Sequence, residues 1–189
     1  MNRFALTAVA VAALATSGCG KKDDTAHDPA ANPDIAAGAS DTAAPATTPA
    51  SPGQAFADTA AASDMFEIET SKLAAAKAGS AKVESFAAQM IKAHTDSTAK
   101  LKTAAAAASP AITPAPALTP AQQAKLDELS AKSGADFDKA YAAAQVEAHQ
   151  MTLDALKTYA GSGDVAPLKA FAAELVPIVT AHLNMAKGL

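Results

Sequence analysis

Three histidines carry most of the chemistry that this chain of 189 residues could perform. His94 belongs to a segment whose core-type residues recur at steps of four and three, the spacing that gives one continuous face on an α-helix. The other members of this face are Val83, Ala87, Met90, Ser97 and Leu101. His149 and His182 lie in later segments of similar pattern. An imidazole on such a face either packs in the core against a carbonyl, a water or an acid, or serves as a metal ligand.

A carboxylate completes a candidate metal site. Glu67 or Glu69, on the preceding helical segment, lies about as far from the turn at Gly79 as His94 does. At a rise of about 1.5 Å per residue, the side chains of an antiparallel pair are then level. Three imidazoles and a carboxylate suit zinc, copper or iron, and helical bundles build such sites in their cores. A divalent transition metal is therefore the cofactor that these residues could hold.

The position of His182 argues against one compact site. His182 lies about six residues further from the turn at residues 161–163 than His149 does, an axial offset of roughly 9 Å. Pro177 should bend the last helix just before His182, because proline removes a backbone hydrogen bond. The bend reduces the offset without closing it.

Other chemistries find less support in the sequence. A ferroxidase-type di-iron centre needs Glu-x-x-His on two helices, but the residues three positions before the histidines are Ile91, Val146 and Val179. Nucleophile-elbow and phosphate-loop glycine patterns are absent from the sequence. Four methionines at helical positions are interpreted as core residues rather than a copper-binding box: Met65, Met90, Met151 and Met185. A binding or structural role is favoured over catalysis.

The composition indicates an all-α protein. Hydrophobic residues make up 50% of the chain, mostly alanine, and aromatic residues only 4%. Alanine favours helices and close helix approach, while it buries little surface. The net charge of −4, with scattered basic residues, gives no basic stripe of the kind that binds nucleic acid.

The amino terminus is typical of an exported lipoprotein. Arg3 precedes an apolar run at residues 4–14, and small residues follow up to Cys19. This pattern predicts a signal peptide over residues 1–18. Residues 15–19 (Ala-Thr-Ser-Gly-Cys) resemble a bacterial lipobox, although Thr16 stands where leucine is usual. The alternative is an ordinary secretory signal that leaves a free Cys19.

Lipidation of Cys19 would moor the chain to a membrane, because two or more acyl chains bind firmly. Gly20 follows in place of the aspartate that retains lipoproteins in the inner membrane, so the expected location is the periplasmic face of the outer membrane. Without lipidation the protein would be soluble in the periplasm. Residues 19–55 are rich in Ala, Pro, Thr and Asp and are predicted to form a disordered tether. The folded domain is placed at residues 56–189.

Capping residues and prolines divide this domain into five predicted helices. A proline-rich crossover at residues 109–119 separates two long helices from the rest, and Thr119 with Pro120 starts a short helix within the connection. The predicted helices cover residues 56–78, 81–107, 120–132, 136–160 and 165–187. Asp164 is the expected cap of the last helix. A shift of 55 residues also aligns Gly79 with Gly134 and His94 with His149, which suggests a weak internal repeat.

Several motifs resemble one bacterial family, that of domain of unknown function 4142. They are Glu67 to Ala74, Phe86 to His94, Phe137 to Tyr141, Leu168 to Ala172, and His182 to Ala186. The resemblance covers residues 55–189. It implies a ferritin-like four-helix bundle, often exported and labelled an outer-membrane protein, without an established activity.

The resemblance also implies Glu67, rather than Glu69, as the acidic site residue beside the three histidines. The family commonly has aspartate before two of these histidines, where this chain has Ala93 and Ala148. Loss of both aspartates would remove possible ligands or orienting partners and weaken a metal site. The sequence therefore predicts a membrane-anchored protein that acts as a binding or structural module and whose protein partner is unknown. The alternative is a metal-binding or redox protein.

Overall fold

The computed structural model describes residues 50–189; the predicted signal peptide, Cys19 and nearly all of the tether lie outside the described residues. The described chain forms five α-helices: α1 (Pro52–Lys77), α2 (Ala81–Ala106), α3 (Pro120–Ser130), α4 (Gly134–Ser162) and α5 (Ala166–Ala186). No β-strand occurs between residues 50 and 189. The all-α prediction is confirmed.

The helix ends follow local capping chemistry. Ser51 accepts a hydrogen bond from the Gln54 amide, with Pro52 in the first turn, so α1 begins at Pro52 rather than at the predicted Phe56. Thr119 forms the capping box of α3 together with Gln122. Both helices thus begin where a hydroxyl satisfies a free amide and a proline is tolerated.

The turn between the last two helices is tighter than predicted. α4 runs on to Ser162, and α5 starts at Ala166 with Val165 as its N-cap. The prediction that Asp164 caps α5 is wrong, because Asp164 accepts a hydrogen bond of 2.9 Å from the Tyr159 hydroxyl. α5 continues through Pro177 to Ala186.

The four long helices pack as a bundle. α1 packs against α2 and α4 against α5, and contacts of α1 with α4 and of α2 with α5 close the ring, while α3 lies against α1 and α4. The face of α2 predicted from its spacing is buried throughout. Among the methionines, Met90 is fully buried, but Met151 is 66% and Met185 is 40% exposed, so their assignment to the core is wrong.

Two glycines lie where the turn between α1 and α2 meets the start of α4. A Cβ atom on Gly79 would lie 2.9 Å from the carbonyl carbon of Gly134, closer than packed atoms allow. Gly134 itself has a φ of 60°, a conformation that favours glycine. The Gly79 amide donates to Asp138 Oδ1 at 3.0 Å. Gly79 and Gly134, which the internal repeat aligns with each other, therefore lie in close contact.

The bundle core consists of two apolar clusters. One contains Phe56, Leu101, Leu153, Tyr159, Phe171 and Val179, among others. The second contains Val83, Phe86, Met90, Phe137 and Tyr141, among others. Along α2, His94 lies between residues of the second cluster and residues of the first. His149 has the same position along α4. α5 is the only described helix long and apolar enough to cross a membrane, but its buried residues belong to these clusters.

Candidate metal centre

A layer of buried polar residues separates the two apolar clusters. It comprises Asp64, Glu67, Thr70, Ser71, His94, Ser97, Gln145 and His149, none of which is more than 7% exposed. On α1 the spacing of Asp64 and Glu67 places both carboxylates on the inner face of the helix. Glu69 instead lies near the surface, where it pairs with Lys72 at 2.8 Å. Polar groups so deeply buried are costly unless they bind one another or a ligand.

The three histidines meet in this layer. The ring centroids of His94, His149 and His182 lie 5.6 to 5.8 Å apart in all three pairs. One nitrogen from each ring lies within 4.8 Å of the other two. The expectation that His182 is too distant for a compact site is wrong.

Two features of the fold bring His182 into register. α4 ends at Ser162 and α5 begins at Ala166, so His182 is only about three residues further from the turn than His149, roughly 4.5 Å along the axis. Helical side chains also lean toward the amino terminus of their own helix. In this antiparallel pair, His149 leans away from the turn and His182 toward it, which removes much of the remaining offset.

A carboxylate orients the first imidazole. His94 Nδ1 donates to Asp64 Oδ1 at 2.8 Å, and both residues are buried. The Thr98 hydroxyl lies 3.1 Å from the other oxygen of Asp64. Because Nδ1 points at the carboxylate, Nε2 is directed elsewhere. Asp64 on α1 thus gives His94 an acidic partner, although the aspartate common in the family is absent at Ala93.

The second imidazole is oriented by the backbone. His149 Nδ1 donates to the Gln145 carbonyl at 2.8 Å, which leaves the lone pair on Nε2. Glu67 Oε1 lies 3.5 Å from this same Nδ1. Glu67 is therefore beside His149 but outside the group of three nitrogens that could share an ion. Gln145 approaches the Glu67 carboxylate without forming a hydrogen bond of normal geometry.

Several polar atoms in this layer have no hydrogen-bond partner among the described residues. They are both carboxylate oxygens of Glu67, His94 Nε2, Gln145 Oε1, His149 Nε2 and His182 Nδ1. Every site histidine thus has one buried nitrogen without a partner. The His182 side chain as a whole is half-buried, because other atoms of it reach the surface. Buried atoms of this kind are rare in folded proteins and indicate a missing partner.

The charges of the site depend on burial. Burial, together with the positive charge of His94, lowers the pKa of His149 to about 4 and that of His182 to about 4. Burial also lowers the pKa of His94, but the hydrogen bond to Asp64 and the charges of Glu67 and Asp64 outweigh it, so the net pKa is raised. Burial raises the pKa of Glu67 to about 7. At neutral pH, His149 and His182 are free bases ready to bind a cation.

The triangle of nitrogens fits a metal ion after small side-chain adjustments. Three points within 4.8 Å of one another allow an ion no farther than about 2.8 Å from each, compared with about 2.0 to 2.1 Å in zinc–histidine bonds. Asp64 and the Gln145 carbonyl already hold two rings as outer partners hold metal-binding histidines.

Asp64 is the site residue that sequence reasoning missed. Its spacing to Glu67 (Asp-x-x-Glu) within an apolar helix was the available signal. That spacing places Asp64 on the inner face of α1 but does not name its partner on α2.

An apolar cavity of about 370 Å³ lies elsewhere, where α1 and α4 meet the start of α3. It borders Phe66 and Ala148, the neighbours of Glu67 and His149, but none of the three site histidines lines it. The candidate site is therefore the polar layer and not this cavity.

Comparison with known proteins identifies the family. No curated protein and no solved structure shows significant similarity to this chain. The model of the domain of unknown function DUF4142 matches residues 38–189. Because this match extends over most of the chain, the chain belongs to the DUF4142 family.

Proposed function

We propose that the helical domain is a transition-metal-binding module in which His94, His149 and His182 hold one divalent ion. The observation that carries this proposal is the convergence of three imidazole nitrogens within 4.8 Å, all from different helices of the bundle. Zinc, copper and iron are the ions that imidazole suits best. Asp64 and Glu67 act as outer carboxylates that orient His94 and lie beside His149.

The unpartnered atoms support the metal over a purely packed histidine cluster. Nε2 of His149 carries a lone pair, because its Nδ1 donates to a carbonyl. His94 Nε2 and His182 Nδ1 also lack partners. These three buried nitrogens lie within 4.8 Å of one another and have no hydrogen-bond partner among the described residues. A metal ion bound by them removes the cost of leaving these nitrogens unsatisfied.

The cellular setting is part of the same proposal. We take the domain to be a ferritin-like bundle that is exported and moored through lipidated Cys19 to the periplasmic face of the outer membrane. The signal-like residues 1–18 and the lipobox-like residues before Cys19 support this location. If Cys19 is not lipidated, the domain acts in soluble form in the periplasm. The role is binding, with no catalytic step assigned.

Metal analysis of the purified protein tests the proposal. Protein purified without chelators or affinity metals is analysed for zinc, copper, iron and manganese, and the metal-free form is then titrated with each ion. A bound ion at a hundredfold excess over its dissociation constant stabilises by about 2.7 kcal/mol, which corresponds to a rise in melting temperature of about 5 to 10 °C.

Two single substitutions sharpen this test. His182→Ala removes a half-buried ligand and should abolish most of the metal-induced rise with little loss of apo stability. His27→Ala, at the only other histidine of the chain, is the matched control and should behave as wild type. Absence of all four metals, together with no rise on addition, would leave only a structural or metal-free binding module.

A further inference from the structure

We infer that the ion in this site carries a fourth, exchangeable ligand from solution, a water molecule or a small monovalent anion, and that Glu67 does not take this position. This inference rests on the proposed metal-binding function. With such a ligand, the domain would not only store the ion but also bind and exchange small ligands on it.

The number of protein donors supports the inference. Among the described residues, the group of His, Cys, Asp and Glu side chains that can share one ion contains His94, His149 and His182. Zinc in proteins takes four ligands, and sites that have three protein ligands keep the fourth position for water or substrate. Three histidines thus correspond to an exchangeable site rather than a closed structural one.

The placement of Glu67 excludes the obvious fourth donor. Glu67 Oε1 lies 3.5 Å from His149 Nδ1, the nitrogen that is already bonded to the Gln145 carbonyl. The other nitrogen of the ring, Nε2, is the one left for the ion. Glu67 therefore contacts the side of His149 that a metal would not occupy, the position of an outer partner.

The exposure of the three ligands gives solution access. His94 and His149 are 4% and 1% exposed, whereas His182 is half-buried on α5. His182 Nδ1 is itself buried, so solvent reaches the outer part of this ring and comes nearest to the site on the side of α5. Ring centroids only 5.6 to 5.8 Å apart leave room for a small ligand and not for a large one. Neutral imidazoles bring no negative charge to the ion, so a water or a small anion is the matching class.

Cobalt(II) and azide test this inference directly. The metal-free protein is loaded with Co²⁺, whose visible absorption reports the ligands on the ion, and is then titrated with sodium azide. Wild type should show a cobalt spectrum that shifts in saturable fashion with azide. The same titration is run on Glu67→Ala, on Glu67→Gln in case the alanine variant folds poorly, and on the surface control Glu69→Ala.

The outcomes separate the inference from the proposed function. A saturable azide shift in wild type and in the Glu67 variants supports it. A wild-type spectrum that ignores azide, with a shift in Glu67→Ala, would identify Glu67 as the fourth ligand and overturn it. A spectrum insensitive to azide in every variant overturns it as well, since the position is then closed. Failure of wild type to bind cobalt, zinc or copper overturns the proposed function, and this inference with it.

Discussion

His94 and Asp64 form a buried pair in which Nδ1 and Oδ1 are 2.8 Å apart, across the contact between α1 and α2. The side chains are only 5% and 7% exposed. This pair fixes the orientation of the imidazole and leaves Nε2 free to bind an ion. In the proposed metal site, Asp64 would act on the ion through the histidine and not by contact.

Substitution of Asp64 by asparagine should weaken metal binding without removing it. An asparagine oxygen can still accept a hydrogen bond from His94 Nδ1, but the negative charge that increases the basicity of the ring is lost. We expect the dissociation constant for zinc to rise about 10- to 100-fold, the usual effect of removing an outer partner. Competition titration with a chromophoric chelator measures it. Asp58→Asn, on the same helix but outside the polar layer, is the control, and an equal loss in both variants would contradict the assigned role.

The stability of the metal-free protein should depend on the ionisation of Glu67. Its pKa is raised from 4.5 to about 7 by burial, so the folded state holds a proton that the unfolded state has released. This contribution to stability is present below pH 4.5 and is lost as the pH rises to about 7. Glu67→Gln removes the dependence. The difference in unfolding free energy between Glu67→Gln and wild type should therefore grow from pH 5 to pH 8, by at most about 3 kcal/mol.

Urea denaturation of metal-free protein at several pH values measures this difference. Glu69→Gln is the matched control, because Glu69 pairs with Lys72 near the surface, and its difference from wild type should stay nearly constant. A flat difference for Glu67→Gln as well would show that the carboxylate is solvated or paired in solution.

The contact between Gly79 and Gly134 should tolerate no added carbon. Gly79→Ala places a Cβ 2.9 Å from a backbone carbon of Gly134, and overpacking of this kind costs about 1 to 3 kcal/mol. Gly161→Ala, where a Cβ meets no atom within 4 Å on a helical residue, should stabilise by about 0.5 to 1 kcal/mol. Thermal unfolding of the two variants, compared with wild type, should give shifts of opposite sign. A stabilising shift for Gly79→Ala would mean that the α1–α2 turn does not approach the start of α4 as described.

The lipid anchor can be tested independently of the bundle. In a bacterial host that processes lipoproteins, wild-type protein should fractionate with the outer membrane, and Cys19→Ser should appear in the soluble periplasmic fraction. Two or more acyl chains are needed for firm attachment, and the substitution removes the residue that bears them. Mass spectrometry of the mature amino terminus provides the second readout. A soluble wild-type protein with an unmodified Cys19 would contradict the anchor.

Much of the site could be predicted from residue spacing within single helices. The inner face of α2 was readable because its members recur every three or four residues, and all of them are buried. The same periodicity pointed to His94, His149 and His182 as inward residues. Capping residues gave the first residues of α2 and α3, since Ser80 and Thr119 accept hydrogen bonds from amides only three residues away.

The relations between helices were decided by the tertiary structure. Whether His182 reaches His149 depends on the length of the turn between α4 and α5 and on the direction in which the two side chains point. Neither follows from the pattern within a single helix. The partner of His94 depends on how α1 is rotated about its axis against α2, and this brings Asp64 to the ring while Glu67 lies by His149. Helical periodicity is a local property of the backbone. Register and rotation are set by packing over the whole bundle, so only the folded chain could show three imidazoles around one point.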